Sequence, residues 1–214
     1  ITYICEFCKD SYVEPGEKMI DHDYSDGVCK HCGAVDGEFF AKVVPTVKIT
    51  RADGKPKVTW TAVNGAEKYW VYRSTDGKSF SVCKTVTGTS YTDKNAKAGT
   101  TYYYKVKAVS GDYRSELSKA VSIKCLLPTP SVKITTSAGK PKLTWKAVTG
   151  AEKYYIYRST DGKNSKYYKS SKQCYYQDSD STIGNTYYYK VKAVSDVSSN
   201  ANSAQSAAKS VTCA

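Results

Sequence analysis

Ten consecutive residues, Thr101-Tyr-Tyr-Tyr-Lys-Val-Lys-Ala-Val-Ser110, recur without a single change at Thr186–Ser195. Their alternation of apolar and polar positions is typical of a β-strand with one buried face. Towards the N-terminus, Gly54-Lys-Pro-Lys-Val-Thr-Trp60 returns as Gly139-Lys-Pro-Lys-Leu-Thr-Trp145, at the same offset of 85 residues. The chain therefore contains a duplicated unit.

Each copy of this unit consists of short alternating segments separated by turn signals. In the first copy the predicted strands are 47–50, 57–61, 69–73, 80–86, 90–91, 102–109 and 119–124. Seven such strands, with no segment of the repeats that predicts a helix longer than one turn, indicate a β-sandwich. The fold class is therefore predicted to be all-β.

The chain of 214 residues is expected to form three parts, a small module at 1–44 and two sandwiches at 45–126 and 127–214. Two prolines in the linker Leu126-Leu-Pro-Thr-Pro130 interrupt strand pairing and stiffen the joint. We expect this linker to be exposed. Cys125 and Cys213 lie 88 residues apart, which places a three-residue insertion in the last loop of the second copy.

The repeated residues resemble those of fibronectin type III domains. The resemblance rests on a lone Trp in the second strand (Trp60, Trp145), Tyr69-x-Val71 in the third, and Gly-Thr-Thr-Tyr-x-Tyr-x-Val-x-Ala in the sixth. It covers about residues 45–214 and implies that the two Trp residues fill the cores, while Tyr102 and Tyr187 take the tyrosine-corner position.

The sequence Tyr-Arg-Ser-Thr-Asp-Gly-Lys, at 72–78 and 157–163, resembles the sequences of tandem modules on secreted and surface proteins of Gram-positive gut bacteria. Fibronectin type III domains serve mostly as spacers and binding modules. Function must still be argued from a site, because a fold does not fix function.

The N-terminal module carries two Cys-x2-Cys pairs about 20 residues apart. They are formed by Cys5, Cys8, Cys29 and Cys32, inside a segment that is acidic while the chain as a whole has a net charge of +12. Each pair can direct two sulfurs at one point, so the four thiolates predict a tetrahedral metal site. Disulfides are the alternative, but a Cys-x2-Cys bridge is strained and so short a segment otherwise lacks a core.

This module is similar to zinc-ribbon and rubredoxin-like modules, through Tyr3-x-Cys5-x2-Cys8 and Cys29-Lys-His-Cys32-Gly. Rubredoxins normally have Gly and Pro where this sequence has Lys9 and Lys30. We therefore favour structural zinc over redox iron. Four thiolates leave no open coordination position, so catalysis at the metal is not expected.

Four further cysteines lie in the repeats: Cys83, Cys125, Cys174 and Cys213. One bridge in each copy is a possible arrangement in an oxidising location, and buried free thiols are the alternative. The alignment complicates bridging, because Cys83 corresponds to Tyr168 and Cys174 to Thr89.

Several classes of function are excluded by the residues present. The repeats contain no His, and no G-x-S-x-G, H-E-x-x-H or P-loop motif occurs, so we predict no enzyme. The basic excess is almost all Lys rather than Arg, which argues against sequence-specific nucleic-acid binding. No apolar run is long enough for a membrane span.

Strand alternation predicts outward aromatic and basic side chains on the third and sixth strands of each repeat. The resemblance to fibronectin type III domains implies that these strands are neighbours, so that the side chains form one stripe. The candidate partner-binding residues are Trp70, Tyr72, Tyr103, Lys105 and Lys107 in the first copy and Tyr155, Tyr157, Tyr188, Lys190 and Lys192 in the second. Tyr and Trp provide large rigid contact areas that suit recognition. The alternative is that they are cross-strand pairs that shield the sheet, with Lys protecting its edges.

These features predict a non-catalytic, monomeric binding or adhesion fragment of a bacterial surface or secreted protein. Its expected partner is an extracellular protein or glycan, and its expected location is extracellular or on the cell surface. Three other functions stay open: a binder of immunoglobulin or matrix proteins of a host, a passive spacer within a larger glycan-active enzyme, and electron transfer at a rubredoxin-like iron.

Overall fold

The computed structural model describes residues 2–4, 11–13, 24–30, 33–195 and 198–213. The chain divides into two compact units. Unit 1 comprises Ile1–Ile49, Val58–Tyr91 and Tyr103–Ser122, and unit 2 comprises Thr50–Lys57, Thr92–Tyr102 and Ile123–Ala214. The boundaries expected at residues 44 and 126 stay a prediction.

Two short hairpins and one helix precede the repeats. Strand β1 (Thr2–Ile4) pairs with β2 (Ser11–Val13), β3 (Tyr24–Ser25) pairs with β4 (Val28–Cys29), and helix α1 follows at Gly37–Lys42. Asp36 caps the helix, since its carboxylate accepts hydrogen bonds from the N–H groups of Glu38 and Phe39 at 2.9 and 3.1 Å. This helix was not predicted, although an Asp followed by an acidic first turn is a recognisable start signal.

The first repeat forms two sheets from eight strands. Their bounds are β5 Val47–Ala52, β6 Lys55–Trp60, β7 Lys68–Ser74, β8 Ser81–Val86, β9 Ser90–Thr92, β10 Thr101–Ser110, β11 Tyr113–Arg114 and β12 Val121–Lys124. One sheet has the order β5-β6-β9, and the other has the order β11-β10-β7-β8 with β12 also on β10. The seven predicted strands are confirmed, with ends shifted by up to two residues, and only β11 was not expected.

The second repeat has the same arrangement. Its strands are β13 Lys133–Ser137, β14 Lys140–Thr144, β15 Ala151–Ser159, β16 Lys166–Ser171, β17 Tyr175–Gln177, β18 Thr186–Ser195 and β19 Lys209–Thr212. They form sheets of order β13-β14-β17 and β16-β15-β18-β19, and one turn of 3-10 helix, Ser199–Ala201, lies in the last loop. The described part of the repeats is therefore all-β apart from this turn.

Each core contains the predicted tryptophan. The Trp60 ring packs against Tyr69 with centroids 5.5 Å apart, and Trp145 packs against Tyr154 at 5.1 Å. Both tyrosines also hold a loop, because each hydroxyl accepts a hydrogen bond from a backbone N–H six residues earlier, at 2.9 Å. One aromatic pair thus both fills the core and fixes the approach to the third strand.

The tyrosine corners are present as expected. The Tyr102 hydroxyl accepts a hydrogen bond from the N–H of Lys97 at 3.0 Å, and the Tyr187 hydroxyl accepts one from the N–H of Thr182 at 3.2 Å. Each bond joins the start of the sixth strand to the loop before it, which is the tyrosine-corner arrangement.

Serine hydroxyls replace part of the last strand in both repeats. Ser115 and Ser118 accept hydrogen bonds through Oγ from the N–H groups of Ala108 and Val106, both at 2.9 Å. Ser203 and Ser206 do the same for Ala193 and Val191. These hydroxyls satisfy backbone groups that would otherwise form an open sheet edge, so the last strand is shorter than predicted.

The linker between the repeats is buried in part, contrary to the expectation that it is exposed. Within unit 2, the Leu126 N–H donates to the Gly54 carbonyl at 3.0 Å and the Leu127 N–H donates to the Ala201 carbonyl at 2.8 Å. Leu127 belongs to the apolar core of the second repeat, and Ala98 packs against the same core. Residues at the end of the first repeat therefore contribute to the packing of the second.

A similar contact occurs within unit 1, where residues before the first repeat cover one of its turns. A Cβ placed on Gly65, whose φ is +76°, would lie 2.7 Å from a methyl of Val35 and 3.0 Å from one of Val28. The N–H of Glu116 also donates to the carbonyl of Val43 at 3.0 Å. Only glycine fits the covered turn, because a side chain would clash and the left-handed backbone would be strained.

We predict that Trp60→Ala and Trp145→Ala each lower the free energy of unfolding of their own repeat by about 3–5 kcal/mol, because each leaves a cavity in a small core. Chemical denaturation followed by circular dichroism measures the loss. Trp70→Ala is the matched control, since Trp70 is only half-buried on the outer sheet face. A loss from Trp70→Ala as large as that from Trp60→Ala would contradict the core assignment.

Candidate functional site

The predicted stripe of the first repeat forms as the alternation required. On adjacent strands β7 and β10, Lys105 lies opposite Tyr72, Lys107 lies opposite Trp70, and Tyr103 lies opposite Ser74. All five predicted side chains are half-buried, whereas the intervening Tyr69, Val71, Tyr104 and Val106 are buried in the core.

Two further residues complete this stripe, and the sequence did not identify them. The guanidinium of Arg114 lies over the Trp70 ring, 4.7 Å from its centroid, and the Lys105 ammonium lies 4.6 Å from the centroid of Phe80. Such cation–π contacts cover part of the aromatic surface. The aromatic rings of the first stripe are therefore partly covered by basic side chains of the same repeat.

The repeated Ser-Thr-Asp-Gly sequence forms the turn at the end of each stripe. The Asp76 carboxylate accepts hydrogen bonds from the N–H groups of Lys78 at 2.8 Å and Ser79 at 2.9 Å, and from the Ser74 hydroxyl. These bonds, the Ser74 bond first, hold the pKa of Asp76 well below its ordinary value. A Cβ on Gly77 would lie 3.1 Å from the Tyr103 ring, so glycine leaves room for that ring.

The second repeat builds the same turn. The Asp161 carboxylate accepts hydrogen bonds from the N–H groups of Lys163 and Asn164, both at 2.9 Å, and backbone bonds lower its pKa to about 2. A Cβ on Gly162 would lie 3.0 Å from the ring of Tyr188. The shared Ser-Thr-Asp-Gly sequence therefore has a structural role, because it forms the turn that positions the outward tyrosine of each stripe.

The stripe of the second repeat is wider than predicted. Lys192 lies opposite Tyr155 and Lys190 lies opposite Tyr157, as expected. Tyr167, which was not predicted, joins them edge-to-face, with ring centroids 5.2 Å from Tyr155 and 6.2 Å from Tyr157. Tyr167 is 57% exposed, so the second stripe presents more free aromatic surface than the first.

A β-bulge explains why the sequence did not reveal Tyr167. The pairing of β15 with β16 shifts between Ile156 and Tyr157, so that Tyr157 lies opposite Tyr167. Without the shift, Tyr168 would lie opposite Tyr157 and on the same face. A bulge adds one residue to one strand, and regular alternation cannot anticipate it.

Tyr168 is thereby available to a buried polar network around Asp178. The Asp178 carboxylate, which is fully buried, accepts hydrogen bonds from Arg158 at 2.8 Å, Tyr189 at 2.5 Å and Tyr168 at 3.0 Å. The Arg158 guanidinium also lies 3.7 Å from the centroid of the Tyr168 ring. The network connects β15, β16 and β18 and therefore holds the strands that carry the second stripe.

The network raises the pKa of two tyrosines above the ordinary value. Burial is the main cause for both, and the negative charge and hydrogen bonding of Asp178 add to it for Tyr189, while Asp180 and Asp178 add to it for Tyr168. Both phenols therefore stay neutral in the folded state when a free tyrosine would ionise.

The candidate metal centre lies largely outside the described residues. Cys5, Cys8 and Cys32 are not among them, whereas Cys29 is 2% exposed. The Cys29 carbonyl accepts a hydrogen bond from the N–H of Gly33 at 3.0 Å, and the Cys29 N–H donates to the Ala34 carbonyl at 2.8 Å. These bonds hold the backbone of Cys29 beside that of Gly33 and Ala34.

Among the described cysteines, Cys125, Cys174 and Cys213 are free thiols. Cys125 is fully buried beside the Ala96 carbonyl, and burial raises the pKa of its thiol. A buried thiol with a raised pKa is unreactive, so Cys125 serves packing.

Comparison with solved structures aligns the chain with the chicken interferon gamma receptor alpha chain at a TM-score of 0.57 and 11% identity, over 81% of this chain and 99% of that one. A two-domain fibronectin type III segment of chicken tenascin aligns at 0.44 and 12%, over 78% and 98% of the two chains. An Fn3-like protein of Clostridium thermocellum aligns at 0.36 and 32%, over 39% and 93%. No family model matches the chain, and no curated protein matches it.

The sheet order, the tyrosine corners and the receptor alignment agree on a fibronectin type III-like fold. This fold is common in extracellular binding and adhesion proteins. In the part of the chain that the structure describes, no helix is long and apolar enough to cross a membrane.

We predict that the second repeat loses stability as the pH rises above about 10, the ordinary pKa of tyrosine. Tyr168 and Tyr189 keep their protons in the folded state but release them on unfolding, so alkaline conditions favour the unfolded state. Urea midpoints measured between pH 8 and 11 test this. Tyr168→Phe should weaken the pH dependence, and Tyr175→Phe, outside the network, should leave it unchanged; equal curves for both variants would contradict the prediction.

Proposed function

We propose that the chain is a non-catalytic extracellular fragment of a bacterial surface or secreted protein that binds a protein partner through the stripe of its second repeat. The observation that carries the proposal is the cluster of the half-buried Tyr155 and Tyr157 with the exposed Tyr167, on a sheet face held by the Asp178 network. Rigid aromatic side chains on a fixed scaffold lose little entropy on binding.

The charges beside this cluster favour an acidic partner surface. Lys190 and Lys192 flank the two predicted tyrosines, and the Lys153 ammonium lies 5.9 Å from the centroid of the Tyr155 ring. Such lysines are expected to accelerate association and to make it depend on salt, while the aromatic centre provides most of the affinity.

The second stripe is preferred to the first because it includes Tyr167, which is 57% exposed, whereas the aromatic side chains of the first stripe are all half-buried. A cation lies over an aromatic ring in both stripes, Arg114 over Trp70 in the first and Lys153 over Tyr155 in the second. An immunoglobulin or matrix protein of a host fits the proposal as a partner, and a glycan is the alternative ligand for the same surface.

A spacer role within a larger secreted enzyme is the second candidate function. The buried linker residue Leu127 and its bond to Ala201 favour it, because a packed joint suits a part that holds other domains apart. On this interpretation the stripes are cross-strand pairs that shield the sheet.

We predict that replacing Tyr155, Tyr157 or Tyr167 by Ala weakens binding of a confirmed partner by about 2 kcal/mol or more, about thirtyfold, for at least one of the three. A pull-down from serum and matrix proteins, run beside a glycan array, identifies the partner, and calorimetry measures the affinity. Tyr175→Ala is the matched control, since Tyr175 is 48% exposed but lies on the opposite sheet.

If the affinity for that partner survives the loss of all three tyrosines and of the first stripe as well, both stripes are structural. If only the first stripe matters, the choice of the second repeat is wrong. Binding on the glycan array alone would replace the protein partner by a glycan.

We also propose that Cys5, Cys8, Cys29 and Cys32 hold one structural zinc ion. The burial of Cys29 and its backbone hydrogen bonds to Gly33 and Ala34 support this, because a Cys-x2-Cys pair that binds a metal needs a buried, fixed sulfur. Zinc would supply the fold energy that a segment of this size lacks, and a closed shell of four thiolates would give it no catalytic role.

For the untagged protein, we predict one zinc per chain by elemental analysis and selective unfolding of the first 44 residues on chelation, with the repeats spared. A red protein would instead identify iron, since zinc is colourless. Mass spectrometry that places these four cysteines in disulfides would rule out the metal site altogether.

A further inference from the structure

The two repeats have corresponding ends, and in the first repeat this end is covered. It consists of the Asp53-Gly54 turn and the loop at 95–99. A Cβ on Gly99 would lie 3.3 Å from the Cβ of Ala201 in the second repeat, and Ala98 packs against the core of that repeat. Ala201 is fully buried at this contact.

The end of the second repeat has backbone hydrogen bonds that match those of the first repeat. The N–H of Gly184 donates to the Cys213 carbonyl at 2.9 Å, as that of Gly99 donates to Cys125 at 2.8 Å. The N–H of Cys213 donates to Asn185 at 3.0 Å, as that of Cys125 donates to Thr100 at 2.9 Å. The two ends therefore share this backbone arrangement.

What covers the first end is missing at the second among the described residues. Ile183, at the position of Ala98, is 71% exposed, which is the largest exposure of the large apolar side chains that the structure describes. No described atom lies within 4 Å of a Cβ placed on Gly184. A single exposed apolar residue needs no explanation in general, but this one occupies the position that is packed in the first repeat.

The surroundings of Ile183 are less charged than those of Ala98. Thr136, Ala138, Thr182 and Thr212 stand where the first repeat has Arg51, Asp53, Lys97 and Lys124. Ala138 even occupies a left-handed turn position, with φ of +49°, that Asp or Asn adopts more easily. Uncharged and apolar side chains at the second end therefore stand where the first end has charged ones. Such a surface suits a packed contact.

We propose that this end of the second repeat, formed by Ile183, Gly184 and the Ala138-Gly139 turn, is a docking surface for a further fibronectin type III-like module. The incoming module would present the loop end that the second repeat presents to the first, with a small buried residue equivalent to Ala201 and a linker leucine equivalent to Leu127. This occupant is indicated by the equivalent contact already present between residues 50–57, 92–102 and 123–126 and the second repeat.

The test extends the full chain after Ala214 by a second copy of residues 127–214, which keeps one residue between Cys213 and the appended leucine as between Cys125 and Leu127. Isoleucine methyl groups are labelled with carbon-13, and a soluble gadolinium chelate reports their exposure. The methyl signal of Ile183 in the original repeat, at the new junction, should lose most of its paramagnetic relaxation in the extended chain. The buried Ile156 of the same repeat serves as the internal reference.

Two substitutions show whether the contact is specific. In the extended chain, Ile183→Lys in the original second repeat should lower the unfolding temperature of the appended module. Ala201→Glu in the appended copy should do the same. Tyr175→Lys, also on an exposed side chain of the second repeat, should have no effect. In the chain of 214 residues, Ile183→Lys should leave the unfolding temperature unchanged.

Equal relaxation of the Ile183 methyl in the short and extended chains would overturn the proposal. So would an appended module that is insensitive to Ala201→Glu, a result that remains informative even if Ile183→Lys disturbs folding. If sedimentation shows that the short chain dimerises and Ile183→Lys abolishes the dimer, the surface belongs to a second copy of the chain and the proposal is wrong.

Discussion

The burial of every second side chain along β10 and β18 is the constraint on which both repeats depend. Tyr104, Val106 and Ala108 fill the first core, so the residues between them have to face outward. Those residues include Lys105 and Lys107, whose charges could not be buried without a partner. The location of the candidate binding surface is thus a consequence of how the core is packed.

The same constraint makes the alternation of strands the part of the fold that sequence could predict. The strands and the outward direction of all ten stripe residues follow from a period of two and from the duplicated sequence. The two core tryptophans and the tyrosine corners follow from the resemblance to fibronectin type III domains. The features that escaped prediction interrupt that period. They include the bulge that turns Tyr167 outward and the serine hydroxyls, such as Ser115, that replace strand pairing.

The buried network of the second repeat depends on the bulge. Because the register shifts, Tyr168 reaches Asp178, and a carboxylate taken out of water gains the donors that it requires. Removing one partner of such a network leaves a buried charge uncompensated, so its members stabilise the repeat only together. No spacing in the sequence signals this, since Arg158, Tyr168 and Asp178 meet only through tertiary structure.

Internal comparison of the two copies separates framework from surface. The sixth strand and the Ser-Thr-Asp-Gly turn are the same in both copies, because each is fixed by packing or by backbone geometry. The copies differ at Trp70 and Tyr155 on the outer face and at Ala98 and Ile183 at the end. Neither position is required for the sandwich itself, since the fold tolerates both members of each pair. The surroundings of these positions differ as well: Ala98 packs against the core of the next repeat, whereas Ile183 is exposed. On the outer face Arg114 lies over Trp70, whereas Tyr167 packs against Tyr155, so the difference there follows contacts within each repeat.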